Sequence, residues 1–97
     1  MILHFETGDN MQDFFFGDAA DHSTIYESII KAISIGMLTK KDTVKVWEIY
    51  FANEDEDLII ECEKDEWKEN LNNALSWYTE NEMFEECAYV KKMIDKL

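Results

Sequence analysis

Hydrophobic and polar positions follow two different periods along the chain, and these periods predict the secondary structure. Apolar residues recur every four positions from Ile25 to Met37, which places them on one face of an α-helix. Residues 43–51 and 58–63 are rich in β-branched and aromatic side chains and predict two strands joined as an antiparallel hairpin. The short apolar run 2–5 predicts a first strand. From residue 65 onward the period is helical again.

The last third of the chain predicts two packed helices. The apolar face of the first helix consists of Trp67, Leu71, Ala74, Leu75 and Tyr78. The second helix carries a seam with alternating spacings of four and three, formed by Met83, Cys87, Val90, Ile94 and Leu97. A short break at 80–82 implies that the two helices pack as an antiparallel hairpin.

These elements predict an α+β fold in the order β-α-β-β-α-α. We expect a small antiparallel sheet of about three strands, one helix and a C-terminal antiparallel helical hairpin. The length of 97 residues fits a single domain, with an α/β part at 1–63 and the hairpin at 64–97.

Two segments before the first long helix carry local signals. The run Phe14–Phe16 cannot place all three rings on one side of a regular element, so part of it is either a core plug or an exposed patch. Residues 21–24 are typical of a helix start, and Thr24 followed by Glu27 fits a capping box. Gly36 and the pair Lys40–Lys41 suit its end.

Residues 71–97 resemble the UVR motif, a helical hairpin of the excision-repair UvrB and UvrC subunits and of adaptor proteins in bacterial protein quality control. The matching positions are Leu71, Ala74, Leu75, Glu82, Phe84, Glu85, Ala88, Lys91, Ile94 and Leu97. The match departs at Cys87, where alanine is usual, and at Lys92, where aspartate often stands. The resemblance implies protein–protein contact, with Phe84, Val90 and Ile94 as candidate interface residues.

Composition narrows the possible partners. The chain has 22 carboxylates, nine lysines and no arginine or proline, and its net charge is −13. Such a charge argues against direct binding to nucleic acid or to an anionic membrane. A hydrophobic content of 46% is enough for a packed core. In length and composition the chain resembles the small accessory proteins of T4-like phages.

The negative charge is concentrated in one stretch. Residues 54–86 contain 13 carboxylates and two lysines, a net charge of −11, whereas the last 11 residues carry +2. Spaced carboxylates of this kind can occupy a groove built for nucleic-acid phosphate and can speed encounter with a basic partner. The alternative is an ordinary solvated surface.

Known patterns of catalysis and metal binding do not fit the chain. As a calcium loop, residues 53–64 place Leu58 where glycine is required and Lys64 where glutamate is required. His4, His22, Cys62 and Cys87 lack the short spacings of structural zinc sites. There is no phosphate-binding glycine loop and no nucleophile elbow. We predict no enzyme activity, no metal and no cofactor.

The sequence therefore predicts a non-enzymatic protein that binds another protein through its acidic surface. The function expected is that of a phage-encoded inhibitor or immunity-type protein, an anti-defence DNA mimic that blocks a basic groove of a nucleic-acid-handling enzyme. The candidate partner-binding residues are Trp47, Glu54, Asp55, Glu56, Asp57, Glu61, Glu63 and Glu66. Without a signal-peptide pattern or an apolar run of bilayer length, we expect a cytoplasmic protein with free thiols.

Two alternatives remain open at this point. A two-layer domain covers one face of its sheet well, so the other face could expose Trp47 or Tyr50 as an apolar anchor. The hairpin and the Phe14–Phe16 segment could equally cover these aromatic rings. The second function is that of an adaptor or subunit that docks, or forms a homodimer, through the UVR-like hairpin.

Overall fold

The computed structural model describes residues 1–17, 21–52 and 57–97, and within these ranges it contains three strands and four helices. The elements are β1 Ile2–Phe5, α1 Gly8–Phe16, α2 His22–Thr39, β2 Thr43–Phe51, β3 Leu58–Glu63, α3 Lys64–Glu80 and α4 Phe84–Asp95. The α+β class and the C-terminal helical hairpin are confirmed.

The sheet has the order β1-β2-β3 and is mixed. Strand β3 pairs antiparallel with β2, as predicted for a hairpin. Strand β1 pairs parallel with β2, so the prediction of a purely antiparallel sheet is wrong for this pair. The connection through α1 and α2 is long enough to carry the chain back across the sheet, which a parallel pairing requires.

Helix α1 is an element that the sequence-based order lacked. It begins after Thr7, whose side chain accepts a hydrogen bond from the backbone N–H of Asn10 at 3.3 Å. It ends at Gly17, whose backbone N–H bonds the carbonyl of Asp13 at 3.0 Å. Nine residues are too few to give a clear helical period, so the sequence pattern does not distinguish this helix from a loop.

The three consecutive phenylalanines of α1 divide between core and solvent. Phe14 packs against Phe5 of β1, with 5.6 Å between ring centroids. Phe15 packs edge-on against Trp47 of β2 at 4.9 Å. Phe16 is exposed. Both interpretations of this segment, a core plug and an exposed patch, therefore hold for different rings.

Helix α2 begins in the predicted stretch 21–24, with Asp21 rather than Thr24 as its cap, and ends at the predicted Lys40, whereas Gly36 lies inside it. Asp21 is the N-cap, and its Oδ1 accepts from the backbone N–H of Thr24 at 3.1 Å. This hydrogen bond holds the pKa of Asp21 below its usual value. The helix continues through Gly36 to Thr39 and ends at Lys40, which adopts the left-handed conformation. Gly36 thus serves packing and not termination.

The helices cover one face of the sheet. Side chains alternate along a strand, so Val44, Trp47 and Ile49 share the covered face. Gly36 of α2 approaches both Val44 and Trp67, which shows that α2 and α3 meet on this side. A bulge between Lys45 and Trp47 allows both Val46 and Trp47 to be buried.

One continuous core joins the α/β part to the hairpin. Its fully buried side chains are Ile33, Ile49, Trp67, Leu71, Tyr78 and Val90. The predicted face of α3 is buried at Trp67, Leu71, Ala74 and Tyr78. On α4 the buried positions are Cys87, Val90 and Met93, whereas Leu97 lies beyond the helix and is exposed. Among the described residues, no helix is both long and apolar enough to cross a membrane.

Candidate protein-binding surface

The sheet face opposite the helices has no covering layer in the described part of the chain. We call it the open face, and its exposed or half-exposed side chains are Ile2, His4, Thr43, Lys45, Glu48, Tyr50, Ile59, Glu61 and Glu63. Ile2 is 59% exposed and Ile59 is 50% exposed. Large apolar side chains on an uncovered sheet face are a feature of binding surfaces.

A small polar network lies at the centre of the open face. The rings of His4 and Tyr50 stack with 5.4 Å between centroids, because the parallel register places the two residues side by side. The Tyr50 hydroxyl donates to Glu48 at 3.3 Å, and Lys45 pairs with the same carboxylate at 3.4 Å. The negative charge of Glu48 raises the pKa of Tyr50.

Carboxylates border the open face on the side of β3 and the start of α3. We call this group the acidic edge, and it consists of Asp57, Glu61, Glu63, Asp65 and Glu66, all of them exposed. Glu61 and Glu63 are two residues apart on a strand, hence about 6.6 Å along it. Asp65 and Glu66 lie in the first turn of α3, where the helix dipole stabilises negative charge.

Three members of the acidic edge lie especially close together. Glu63, Asp65 and Glu66 can bring carboxylate oxygens within 4.8 Å of one another. Carboxylate oxygens are the ligands preferred by Mg²⁺ and Ca²⁺, but solvent-exposed acidic groups reach such distances without any ion. The absence of a resident metal stays a prediction.

The structure separates the other predicted partner-binding residues. Trp47 is only 7% exposed and lies beneath Phe15, so the expectation of an exposed anchor at this position is wrong. The alternative, that the Phe14–Phe16 segment covers the ring, describes the contact observed. Tyr50 lies on the open face instead. The candidates Glu54, Asp55 and Glu56 fall outside the described residues.

The candidate residues of the hairpin are also distributed unevenly. Phe84 begins α4 and is 66% exposed. Val90 is fully buried against the rest of the core, and Ile94 is half-buried. Val90 cannot touch a partner while the hairpin is folded, since α4 uses this side chain to pack on the domain itself. Phe84 is therefore the most accessible of the three.

Both cysteines are free and buried. The Sγ of Cys62 accepts from the Asn70 side-chain amide at 3.0 Å, and burial raises the pKa of this thiol. A thiol with a raised pKa is a poor nucleophile at neutral pH. Cys62 is therefore a core residue rather than a reactive thiol, and Cys87 is likewise buried in the core.

Sequence reasoning did not include His4, Ile2 or Ile59 in the binding surface. The signal that could have found them is the alternation of Ile2 and His4 with Leu3 and Phe5 in β1. That alternation becomes informative only when the strand is known to pair with β2. The pairing of two strands more than forty residues apart cannot be predicted from the sequence of either strand alone.

Comparison with known proteins gives no match: no family model fits the chain, and neither a curated protein nor a solved structure is significantly similar to it. The resemblances to the UVR hairpin and to phage accessory proteins consequently have no support beyond the residues themselves.

Proposed function

We propose that this protein binds another protein through the open face and the acidic edge, and that the partner carries a basic groove built for nucleic acid. The observation that carries the proposal is uncompensated charge beside an uncovered apolar surface. Among the described residues the only ion pair is Lys45–Glu48, so the carboxylates of the acidic edge have no cationic partner within the described chain.

The apolar centre and the acidic edge match two physical requirements of an interface whose association is accelerated by charge. Ile2, Ile59 and the stacked His4–Tyr50 pair offer apolar and aromatic contact area at the centre. Such side chains contribute most when water is excluded from them. The surrounding carboxylates would raise the association rate with a basic partner and would make this rate sensitive to salt.

An acidic surface that occupies a phosphate-binding groove excludes the nucleic acid from it. The activity proposed is therefore inhibition, as by a DNA mimic or an immunity-type protein, without chemistry by the chain itself. A role against a host nuclease or another defence enzyme is part of this proposal and rests on the acidic edge and the open face alone. The compartment proposed is the cytoplasm, where such enzymes meet nucleic acid.

Displacement from immobilised DNA tests the proposal directly. A bacterial lysate is loaded on DNA-cellulose at low salt, and the bound proteins are eluted with this protein at neutral pH. We expect a specific nucleic-acid-binding enzyme to elute with the protein and to copurify with it at low but not at high salt. The triple variant E61K/E63K/E66K should lose this elution, since it changes the charge of the acidic edge by +6.

The matched control is E6K/D13K/D95K, which changes net charge by the same amount at three exposed positions away from the acidic edge. The control variant should elute the enzyme nearly as well as the original protein. Equal loss in both variants would show that only bulk charge matters. Unchanged elution by E61K/E63K/E66K would refute the acidic edge as the binding surface.

A second function is proposed on a separate observation, the exposure of Phe84 at the start of α4. In this case the UVR-like hairpin docks on a helical partner or on a second copy of the chain. Sedimentation velocity at low and high salt tests self-association, and F84A should abolish it. A protein that is monomeric in both conditions, and whose captured partner is unaffected by F84A, would eliminate this function.

A further inference from the structure

Three helix ends border a half-open cavity of about 560 Å³ on the helical side of the molecule. The end of α2, the start of α3 and the end of α4 contribute its walls. This volume lies within the range of sites that bind small molecules. The cavity is separate from the open face, which lies on the other side of the sheet.

The walls of the cavity contain most of the basic residues of the chain. Five of the nine lysines line it, namely Lys40, Lys41, Lys64, Lys92 and Lys96, and no aspartate or glutamate does. None of these lysines forms an ion pair with the described residues. In a protein of net charge −13, five unpaired cations that converge on one cavity form a local field opposite to that of the whole molecule.

Helix capping explains only part of this cluster. Lys40, Lys41, Lys92 and Lys96 lie at or beyond the C-terminal ends of α2 and α4, where the helix dipole favours positive charge. Lys64 is the first residue of α3, where the dipole disfavours it. Its position on the cavity wall therefore calls for a reason other than helix stability.

The cavity also has an apolar component. Met37, Leu38, Met93 and Leu97 contribute to its lining, and Leu38 is 81% exposed. The exposed leucine side chain offers apolar area that a ligand in the cavity could cover. The lining thus combines cationic groups with flexible apolar side chains.

We propose that this cavity binds a small amphiphilic anion, that is, an apolar body bearing a single carboxylate or phosphate group. Lysines bind such groups as point charges, and the apolar side chains cover the body. A small ligand fits within the Debye length of about 8 Å from the lysines. A long nucleic acid or a membrane surface would also meet the surrounding carboxylates and be repelled.

Titration by ¹H–¹⁵N NMR with single-chain probes tests this proposal, with all probes kept below their micellar concentrations. Decanoate and decyl phosphate distinguish a carboxylate from a phosphate head group. Decyltrimethylammonium carries the same chain with a positive charge, and inorganic phosphate carries the charge without a chain. We expect at least one decyl anion to bind in 1:1 ratio and to shift the amide signals of residues 36–41, 64–67 and 92–97.

Paired lysine variants locate the site. K64Q/K96Q should weaken binding of the decyl anion by about tenfold, the effect of two lost charge contacts of roughly 0.7 kcal/mol each. The control K68Q/K91Q makes the same change of charge at exposed lysines that do not line the cavity, and it should bind as the original protein does. Because all four side chains are exposed, both variants should keep the fold, which the NMR spectrum itself reports.

Each contrary result overturns the proposal. Equal binding of decyltrimethylammonium would show a purely apolar groove. Binding of inorganic phosphate as tight as that of decyl phosphate would show an anion site without a role for the apolar side chains. Equal losses in the two lysine variants, or no shift with either decyl anion, would remove the cavity as a ligand site.

Discussion

Gly36 offers a sharp test of how α2 packs on the sheet, through the substitution Gly36→Ala. A Cβ at this position would lie 2.5 Å from Val44 Cγ1 and 2.8 Å from Trp67 Cη2. Favourable carbon–carbon contacts are about 3.5–4.0 Å, so both neighbours would be about 1 Å too close. Val44 and Trp67 are buried, and the Trp67 indole is further held by its hydrogen bond to the Cys62 carbonyl at 3.1 Å.

The sign of the change in the free energy of unfolding shows which of two effects is larger, the higher helix propensity of alanine or the overpacking of the core. Alanine usually stabilises a helix by about 1 kcal/mol relative to glycine. Overpacking of a core costs about 1–3 kcal/mol, and contacts this short with two buried side chains place the cost in the upper part of that range, at about 2–3 kcal/mol. After the helix gain is subtracted, we expect G36A to lower the free energy of unfolding by roughly 1–2 kcal/mol. The melting temperature should then fall by roughly 5–15 °C in a domain of this size.

Urea unfolding followed by circular dichroism measures this change, and two further variants control it. Gly8 has no atom within 4 Å of an added Cβ, so G8A should leave stability unchanged or raise it slightly. In V44A the closest clashing atom is gone, so the additional cost of G36A should shrink in that background. If G36A proved as stable as the original protein, the close approach of α2 to Val44 and Trp67 would be refuted.

Three further predictions concern groups whose partners the structure identifies. W67F should lower the free energy of unfolding by about 1–2 kcal/mol more than W47F does. The reason is that Trp67 donates a hydrogen bond to the Cys62 carbonyl, whereas the Trp47 indole N–H is buried without a partner in the described chain. Urea unfolding measures both variants, and a larger loss in W47F would contradict this prediction. D21A should melt below D21N at neutral pH, since asparagine keeps the cap. The lowered pKa of Asp21 means that its charge stabilises the fold above pH 3.8 and that this contribution disappears as the pH falls through the folded-state pKa. Burial raises the pKa of Tyr78 to about 12. The protonated hydroxyl therefore contributes its full stabilisation of the fold below pH 10, and this stabilisation is lost as the pH rises toward 12. Y78F should lose less stability over that interval, and identical pH profiles of the two proteins would refute this prediction.

Elements with a strong local period could be predicted from the sequence. The predicted strands at 43–51 and 58–63 have the bounds observed for β2 and β3, and the helical hairpin begins at Lys64, the first residue of the predicted hairpin segment. The alternation of buried and exposed residues in a strand, or the four-residue spacing in a helix, is contained within the segment itself. The concentration of charge in 54–86 is equally local.

Features that depend on distant contacts could not be predicted in the same way. From the sequence, Trp47 could be an exposed anchor. In the structure it is covered by Phe15, which lies 32 positions earlier in the chain. The parallel pairing of β1 with β2 depends on the path of α1 and α2 between them. Val90 has the spacing of an interface residue, but the same seam is used within the domain.

The sequence by itself determined the α+β class, the two C-terminal helices and the acidity on which the proposal of a basic protein partner rests. Only the tertiary structure decided which side of the sheet is open and which carboxylates border it. It also brought lysines from positions 40, 64 and 96 to one cavity. The physical reason is that periodicity and charge are properties of neighbouring residues, whereas a surface forms when segments far apart in the chain bury their apolar faces together.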